Sequence, residues 1–281
     1  MSGKPDWLVV PYYNEEKSKY ISDMLTELRL NTVCEEAACP NRSECYSHKT
    51  ATFLVLGKIC TRKCTFCNVT NGTPLPIQKD EPQRIAEAIF RLNLSYVVIT
   101  SVTRDDLADG GSSHFANVIS SAKKKAPHTK IEVLISDLGG NFESLKTVAN
   151  SAPDVISHNI ETVASLYESV RPGADYKRSL SVIEKISEID PKIHSKSGIM
   201  LGLGEAYDEV LKTFDDLRNV NCKLLTIGQY LSPTKKHHPI KEYITPEMFE
   251  HYAKIAIDKG FSHVASGPFV RSSYHAHKAF E

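Results

Sequence analysis

The stretch TATFLVLGKICTRKCTFCNV, residues 50–69, joins a strand signal to a cysteine signal, and the pair decides how the rest of the chain is read. Residues 52–56 (TFLVL) form a short continuous apolar run, the pattern of a strand buried on both faces of a sheet. Directly after it come Cys60, Cys64 and Cys67, spaced C-x3-C-x2-C. An earlier triplet, Cys34, Cys39 and Cys45, is spaced C-x4-C-x5-C, and Cys222 stands alone. A disulfide framework suits small exported chains with paired cysteines, not 281 residues with seven. Zinc sites usually match one close cysteine pair with another close pair of Cys or His, which two unequal triplets do not supply. Iron–sulfur clusters, held by closely spaced thiolates, fit both triplets. Three thiolates on a four-iron cluster leave one iron open, as catalytic metal sites keep a position for substrate or cofactor.

Outward from this stretch the chain alternates. Strand-like runs recur at residues 96–100, 131–135, 155–158, 198–201, 224–227 and 262–265. Amphipathic stretches between them predict helices over 82–92, 114–125, 142–149, 163–170, 177–189, 208–220 and 246–259. Pro82 and Pro246 suit first helical turns, with Asp80 and Thr245 as N-caps. The repetition predicts an α/β fold, either a barrel or a doubly wound sheet. Polar clusters follow five of the strand runs, at 101–111, 158–161, 202–205, 229–238 and 267–274. In a barrel those positions gather at the carboxyl ends of the strands, where active sites form; singly, each also reads as an ordinary solvated loop. Residues 1 to about 50 differ, with one helix-like stretch at 16–30 before the first triplet.

Composition narrows the function classes. Basic and acidic residues balance at 34 each, which gives no general attraction to nucleic acid or to a membrane surface. No apolar run approaches the roughly 18 residues of a membrane span. The first 13 residues carry Asp6 and no signal-like apolar core, so a cytoplasmic location is expected.

The C-x3-C-x2-C spacing, with Phe66 before its last cysteine, resembles the signature of the radical S-adenosylmethionine (SAM) superfamily. Within it, the ordered strings LNTVCEEAACPNRSEC, SVTRDDLADGG, HNIETV, VRPGADY, SGIMLGLGE, LTIGQYLSPT and RSSYHA are similar to those of the lipoyl synthases, from about Lys4 to about Ala276. The resemblance implies a partial (β/α)6 TIM-type barrel over residues 50–266. An N-terminal extension (1–49) and a C-terminal segment (267–281) would flank it, the segment closing on an auxiliary cluster. It implies insertion of two sulfur atoms, at C6 and C8, into an octanoyl-lysine on a lipoyl-carrier protein, with an external electron donor. It further implies two [4Fe–4S] clusters: one on Cys60, Cys64 and Cys67 that binds and cleaves SAM, and an auxiliary one on Cys34, Cys39 and Cys45 that donates sulfur. The auxiliary cluster's fourth ligand maps onto Ser273 of the RSSY motif, with Ser272 as runner-up.

Other residues carry two readings each. Phe66 is either a core aromatic or an adenine contact. Asn159 and Glu161 suit ribose hydroxyls, Arg178 the methionyl carboxylate, and Thr103 and Asp105 the border of the SAM amino group; all five also read as loop caps or surface ion pairs. Arg271 is expected near the auxiliary cluster. The run Lys235-Lys236-His237-His238 is either a docking patch for an acidic carrier or a solvated loop. Lys123–Lys125 reads as a helix end and Cys222 as a small buried hydrophobe. Tyr46 and Leu138 stand where a tryptophan and an aromatic are usual in the family. Two other functions fit the cysteines alone: a different radical SAM sulfur insertion, and a cluster-binding sensor without enzymatic activity.

Overall fold

Helix α1 (Glu15–Glu27) and the two-residue strand β1 (Asn31–Thr32) lead through short helices α2 (Val33–Glu36) and α3 (Arg42–Ser47) into β2 (Thr52–Val55). The computed structural model describes residues 4–9 and 15–280. Most of the first 13 residues, read above as carrying no export signal, fall outside them. After β2 the chain runs α4 (Glu81–Arg91), β3 (Tyr96–Ser101), α5 (Ser112–Lys125), β4 (Lys130–Leu134), α6 (Phe142–Asn150) and β5 (Val155–Ser157). It continues through α7 (Tyr167–Val170), α8 (Tyr176–Ile189), β6 (His194–Leu201), α9 (Tyr207–Asn219), β7 (Leu224–Gln229), α10 (Pro246–Asp258) and β8 (His263–Gly267).

The eight strands form one sheet in sequence order, β1 antiparallel to β2 and the rest parallel. The two edge strands do not pair with each other, so the arc stays open. Six strand–helix units, β2 to α10, make the partial barrel, and β8 adds a seventh parallel strand at its edge.

Strand alternation assigns the two faces. Phe53, Val97, Ile99, Ile131 and Val133 are buried against Ile85 and Ile89 of α4 and Phe115 and Ile119 of α5. Their sequence neighbours Tyr96 and Glu132, with Lys196 of β6, form a buried polar network. Lys196 Nζ reaches both Glu132 oxygens at 2.8 and 3.0 Å, and Tyr96 donates to Glu132 at 2.6 Å. A buried ion pair adds little net stability once its desolvation is counted; this one ties β4 to β6 across the intervening β5.

Caps follow the sequence at some ends and not at others. Thr245 accepts from the Met248 N–H and caps α10. Asp80 holds the N-cap position of α4 but pairs instead with Arg29 and Arg84. The expected helix over 163–170 is a 3-10 turn, Ala164–Leu166, followed by the single-turn α7. Lys123–Lys125 do form the last turn of α5, and Cys222 is fully buried.

The segment after β8 runs the length of the barrel. Asn41 of the N-terminal extension donates to the Phe269 carbonyl at 2.7 Å, and the Tyr274 hydroxyl donates to Glu44 of α3 at 3.0 Å. At the far end Phe280 rests on Tyr96 and His194, with Lys130 over its ring at 4.3 Å; these three open strands β3, β6 and β4. Gly228 of β7 permits the crossing, because a Cβ there would stand 2.2 Å from the Val270 carbonyl oxygen. Gly228→Ala is therefore expected to lift the segment, at a cost of roughly 1–3 kcal/mol and several degrees of Tm in a calorimetric scan. An unchanged Tm would mean that the segment is not held at this point.

Candidate functional site

The cysteine stretch leaves β2 through Leu56 and Gly57, both with left-handed backbone, φ 68° and 88°. A leucine keeps that conformation only where its surroundings impose it. Glu81 accepts from the Leu56 N–H at 3.0 Å, and Arg104 donates to the Leu56 carbonyl at 3.2 Å. Glu81 in turn meets His114 Nε2 at 2.7 Å, with both side chains buried. Further on, the Cys60 N–H donates to the Thr70 carbonyl at 2.8 Å and the Gly72 N–H to the Cys60 carbonyl at 3.0 Å, which clamps the two ends of the loop. The Cys67 N–H closes a turn on the Cys64 carbonyl at 3.2 Å. The Cys60 sulfur accepts two backbone N–H groups, from Thr103 at 3.3 Å and Arg62 at 3.4 Å.

The first triplet is carried by α2, the turn after it and α3: Cys34, Cys39 and Cys45. Cys34 lies against Thr52 at the amino end of β2, whereas the second triplet follows its carboxyl end. Four strand residues span about 13 Å at 3.3 Å each, so one short strand separates the two sets. Asn68 stitches the loops together by donating to the Glu36 carbonyl at 2.9 Å.

All seven cysteines are free thiols. Burial pushes Cys34 up to about 11 and Cys45 and Cys67 up to about 12, and it raises Cys64 as well. Such thiols ionise against a strong positive partner, and a coordinating metal deprotonates a thiol outright. Among the described residues no three His, Cys, Asp or Glu groups converge on a point that would hold a single metal ion. A cluster asks for something else, because each thiolate meets its own iron. The donor set therefore fits iron–sulfur clusters better than zinc.

All six triplet cysteines line one cavity of about 1070 Å³, together with Phe66, Thr103, Asn159, Glu161, Arg171, Arg271, Ser272 and Ser273. Asn159 donates to Glu161 at 3.0 Å, while the Asn159 Oδ1 is buried without a partner. Glu161 sits at φ 66°, its carboxyl pushed up by burial against the opposing pull of Arg171 and Asn159. Gly198 leaves room for Asn159: a Cβ there would stand 2.9 Å from its Oδ1. Phe66 joins the apolar cluster of Val170, Leu203 and Tyr230 and also faces the cavity, so both of its readings hold in part. Arg271 lies close enough to Cys39 to interact with it electrostatically.

Two expected contacts lie elsewhere. Arg178 is absent from the cavity lining; its Nε donates to Asp137 at 2.8 Å, beside a separate hollow of about 410 Å³ between α6 and α8. Asp105 is also outside the lining and binds Arg62 through both oxygens, at 2.8 and 2.9 Å. Both belong to a carboxylate–guanidinium group behind the cysteine loop, in which Arg62 also grips Asp137 at 2.7 and 2.9 Å. Burial alone would raise Asp137, but Arg62 and Arg178 hold it well below the usual carboxylate range.

The guanidinium that joins Asn159 and Glu161 in the cavity is Arg171, which the sequence expectation did not include within VRPGADY. It donates to the carbonyls of Asn159 and Ile160 and to the Tyr167 hydroxyl, and its Nε is buried without a partner. The run Lys235-Lys236-His237-His238 divides its labour. Both lysines are exposed. The His238 N–H donates to the Thr65 carbonyl at 2.8 Å, and His237 Nε2 meets the Cys67 carbonyl at 3.2 Å, so the histidines brace the cysteine loop. Tyr46 and Leu138, the two unusual residues, are buried, with the Tyr46 hydroxyl 2.8 Å from Thr32 Oγ1.

Comparison with known proteins agrees with this arrangement. A family model of the radical SAM superfamily matches residues 54–217. Lipoyl synthase of Caldicellulosiruptor bescii is 56% identical over 273 residues, covering 97% of this chain and 94% of the relative. Lipoyl synthase of Geobacter metallireducens is 56% identical over 97% of this chain and 96% of its own length. The fold is shared with methylornithine synthase, at a TM-score of 0.57 and 13% identity over 90% of this chain and 84% of that one. It is shared too with the [FeFe]-hydrogenase maturase HydG of Carboxydothermus hydrogenoformans, at a TM-score of 0.58 and 13% identity over 91% and 73%. Among the described residues no helix is long and apolar enough to cross a membrane.

Proposed function

The chain belongs to the lipoyl synthase family of the radical SAM superfamily, and on that premise we propose how its cavity divides the work of sulfur insertion. It is a sulfur-inserting radical SAM enzyme that uses SAM and a [4Fe–4S] cluster and acts on an octanoylated protein. The finer reading has two clusters, with sulfur placed at C6 and C8 of an octanoyl-lysine. Residues 50–266 form the barrel, 1–49 carry the auxiliary ligands and 267–281 close the site. The observation that carries it is the sharing of one cavity by two cysteine triplets, with the Asn159–Glu161–Arg171 group and Ser272–Ser273 on its walls.

Cys60, Cys64 and Cys67 would hold the cluster whose open iron takes SAM; Cys34, Cys39, Cys45 and Ser273 would hold the auxiliary one. When bound, the first group supplies reductive cleavage of SAM to a carbon radical, and the second supplies sulfur. The chain's own residues then bind, orient and shield. Asn159 offers its unpaired Oδ1 and Glu161 a carboxylate to the ribose hydroxyls of SAM. Arg171, rather than Arg178, offers a buried guanidinium to the carboxylate end. Thr103 borders the amino end through its position on the Cys60 sulfur, and Phe66 presents an apolar face to adenine.

Ser273 is the replaceable ligand. An alkoxide is harder and more basic than a thiolate, so protonation displaces it more readily, which suits a cluster that gives up sulfur. Residues 229–233 and 270–278 line the cavity; in this reading they limit water, which would quench reactive intermediates. Anaerobically loaded enzyme, given SAM, a low-potential reductant and an octanoyl-lysine peptide, is expected to yield a lipoyl peptide and two 5′-deoxyadenosines per product. Deoxyadenosine without thiolated peptide would overturn the substrate; no SAM cleavage at all would favour a sensor.

A further inference from the structure

We propose that Arg62 is a positioning residue that sets the redox character of the Cys60/Cys64/Cys67 site through its grip on two carboxylates; the inference rests on the cluster proposed there. Arg62 lies inside the cysteine loop, and its backbone N–H is one of the two donors on the Cys60 sulfur. The other donor, Thr103, is two residues from Asp105. One guanidinium thus ties the two backbone segments that flank this sulfur. It does so with four charge-assisted bonds of 2.7–2.9 Å, two to Asp105 beyond β3 and two to Asp137 beyond β4. Thr61, the residue before it, adds a hydrogen bond from its hydroxyl to Asp105 at 3.0 Å and two contacts to the Thr103 carbonyl at 3.1 Å.

Asp137 is fixed in its turn. Its side chain is fully buried, accepts from the Gly139 N–H at 3.1 Å and takes Arg178 from α8. Two guanidiniums and two carboxylates balance, so the group carries no net charge into the site. The Arg62–Asp137 pair is buried and the Arg62–Asp105 pair reaches solvent; such pairs add little to stability, and a planar fork that grips two carboxylates has no lysine equivalent. Hydrogen bonds to ligand sulfur stabilise the reduced, more negative state of a cluster and raise its potential. The network therefore acts on the electron that starts the reaction, although none of its carboxylates lines the cavity. Asp105 and Arg178, expected from sequence to touch SAM, act here through Arg62.

The test is an EPR-monitored reductive titration of the anaerobically loaded full chain, with and without SAM, because the SAM-responsive signal reports this cluster alone. Arg62→Gln is expected to keep its iron and to shift the half-reduction point to lower potential. A tenfold fall in the reduced-to-oxidised ratio corresponds to about 59 mV for one electron. Arg62→Lys should restore charge without restoring the potential. Full iron content with an unmoved potential in Arg62→Gln overturns the proposal. If that variant loses iron, Arg62→Lys decides: a lowered potential supports the inference and an unmoved one overturns it. Absence of any SAM-responsive signal from the unaltered enzyme would instead overturn the cluster reading itself.

Discussion

Ser273→Ala is expected to stop sulfur insertion while SAM cleavage continues. The Cys60–Cys67 loop and the C-terminal segment are held by separate sets of bonds. The loop depends on Thr70, Thr103 and Val170, and the segment on Asn41, Glu44 and the Gly228 crossing. Loss of the Ser273 hydroxyl leaves the first set intact. In the proposed assignment it removes the one ligand of the first triplet's cluster that comes from outside the N-terminal extension. Lipoyl product should fall at least about a hundredfold, in line with the loss of a residue that orients or completes a metal site. 5′-Deoxyadenosine should stay within about threefold of the unaltered enzyme, a change of about 0.7 kcal/mol. Ser272→Ala is the control and should lose little of either product. Chromatography of both products from one reaction reads the outcome. Equal losses of product and deoxyadenosine in Ser273→Ala would remove Ser273 from the auxiliary site, and a larger loss in Ser272→Ala would transfer the role to its neighbour.

Cys64→Ala is the complementary case, with the largest effect expected. Its thiol faces the same cavity as Glu161 and Arg171. Two thiolates do not hold a four-iron cluster in place of three, and no other group in the cavity supplies the chemistry. Iron should fall from about eight to about four per chain, the content of one [4Fe–4S] cluster. Deoxyadenosine formation should fall at least about a thousandfold, which is about 4 kcal/mol of barrier. Iron analysis and single-turnover SAM cleavage check both. Retention of about eight irons, or of measurable cleavage, would show that Cys64 is not a ligand.

The barrel was legible because its strands are buried on both faces. Runs such as YVVIT and TFLVL can sit only between helices and a lumen, and they recur at β/α spacing. What escaped was set by shape rather than pattern. β1 is two residues long, too short for any periodicity, and the expected helix over 163–170 breaks into a 3-10 turn and one α-turn. The cysteine triplets stood out by spacing alone, because each is local in sequence, and the fold brings both to one cavity. Side-chain direction in the surrounding loops was not. Arg178 and Arg171 lie seven positions apart in similar surroundings, and only the fold shows that Arg171 enters the cavity while Arg178 turns to Asp137. Likewise nothing in a run of two lysines and two histidines indicates that the histidines hold the Thr65 and Cys67 carbonyls.

The bond between Tyr274 and Glu44 joins residues 230 apart, and that between Asn41 and Phe269 joins residues 228 apart. During synthesis at 5–20 residues per second, roughly 10–50 s pass between the emergence of these partners. Throughout that interval α2, α3 and the first cysteine triplet are made but the segment that packs against α3 is not. Closure of the first triplet's pocket is therefore a late event in the life of each new chain. A ribosome stalled short of residue 269 would present that pocket without its cover.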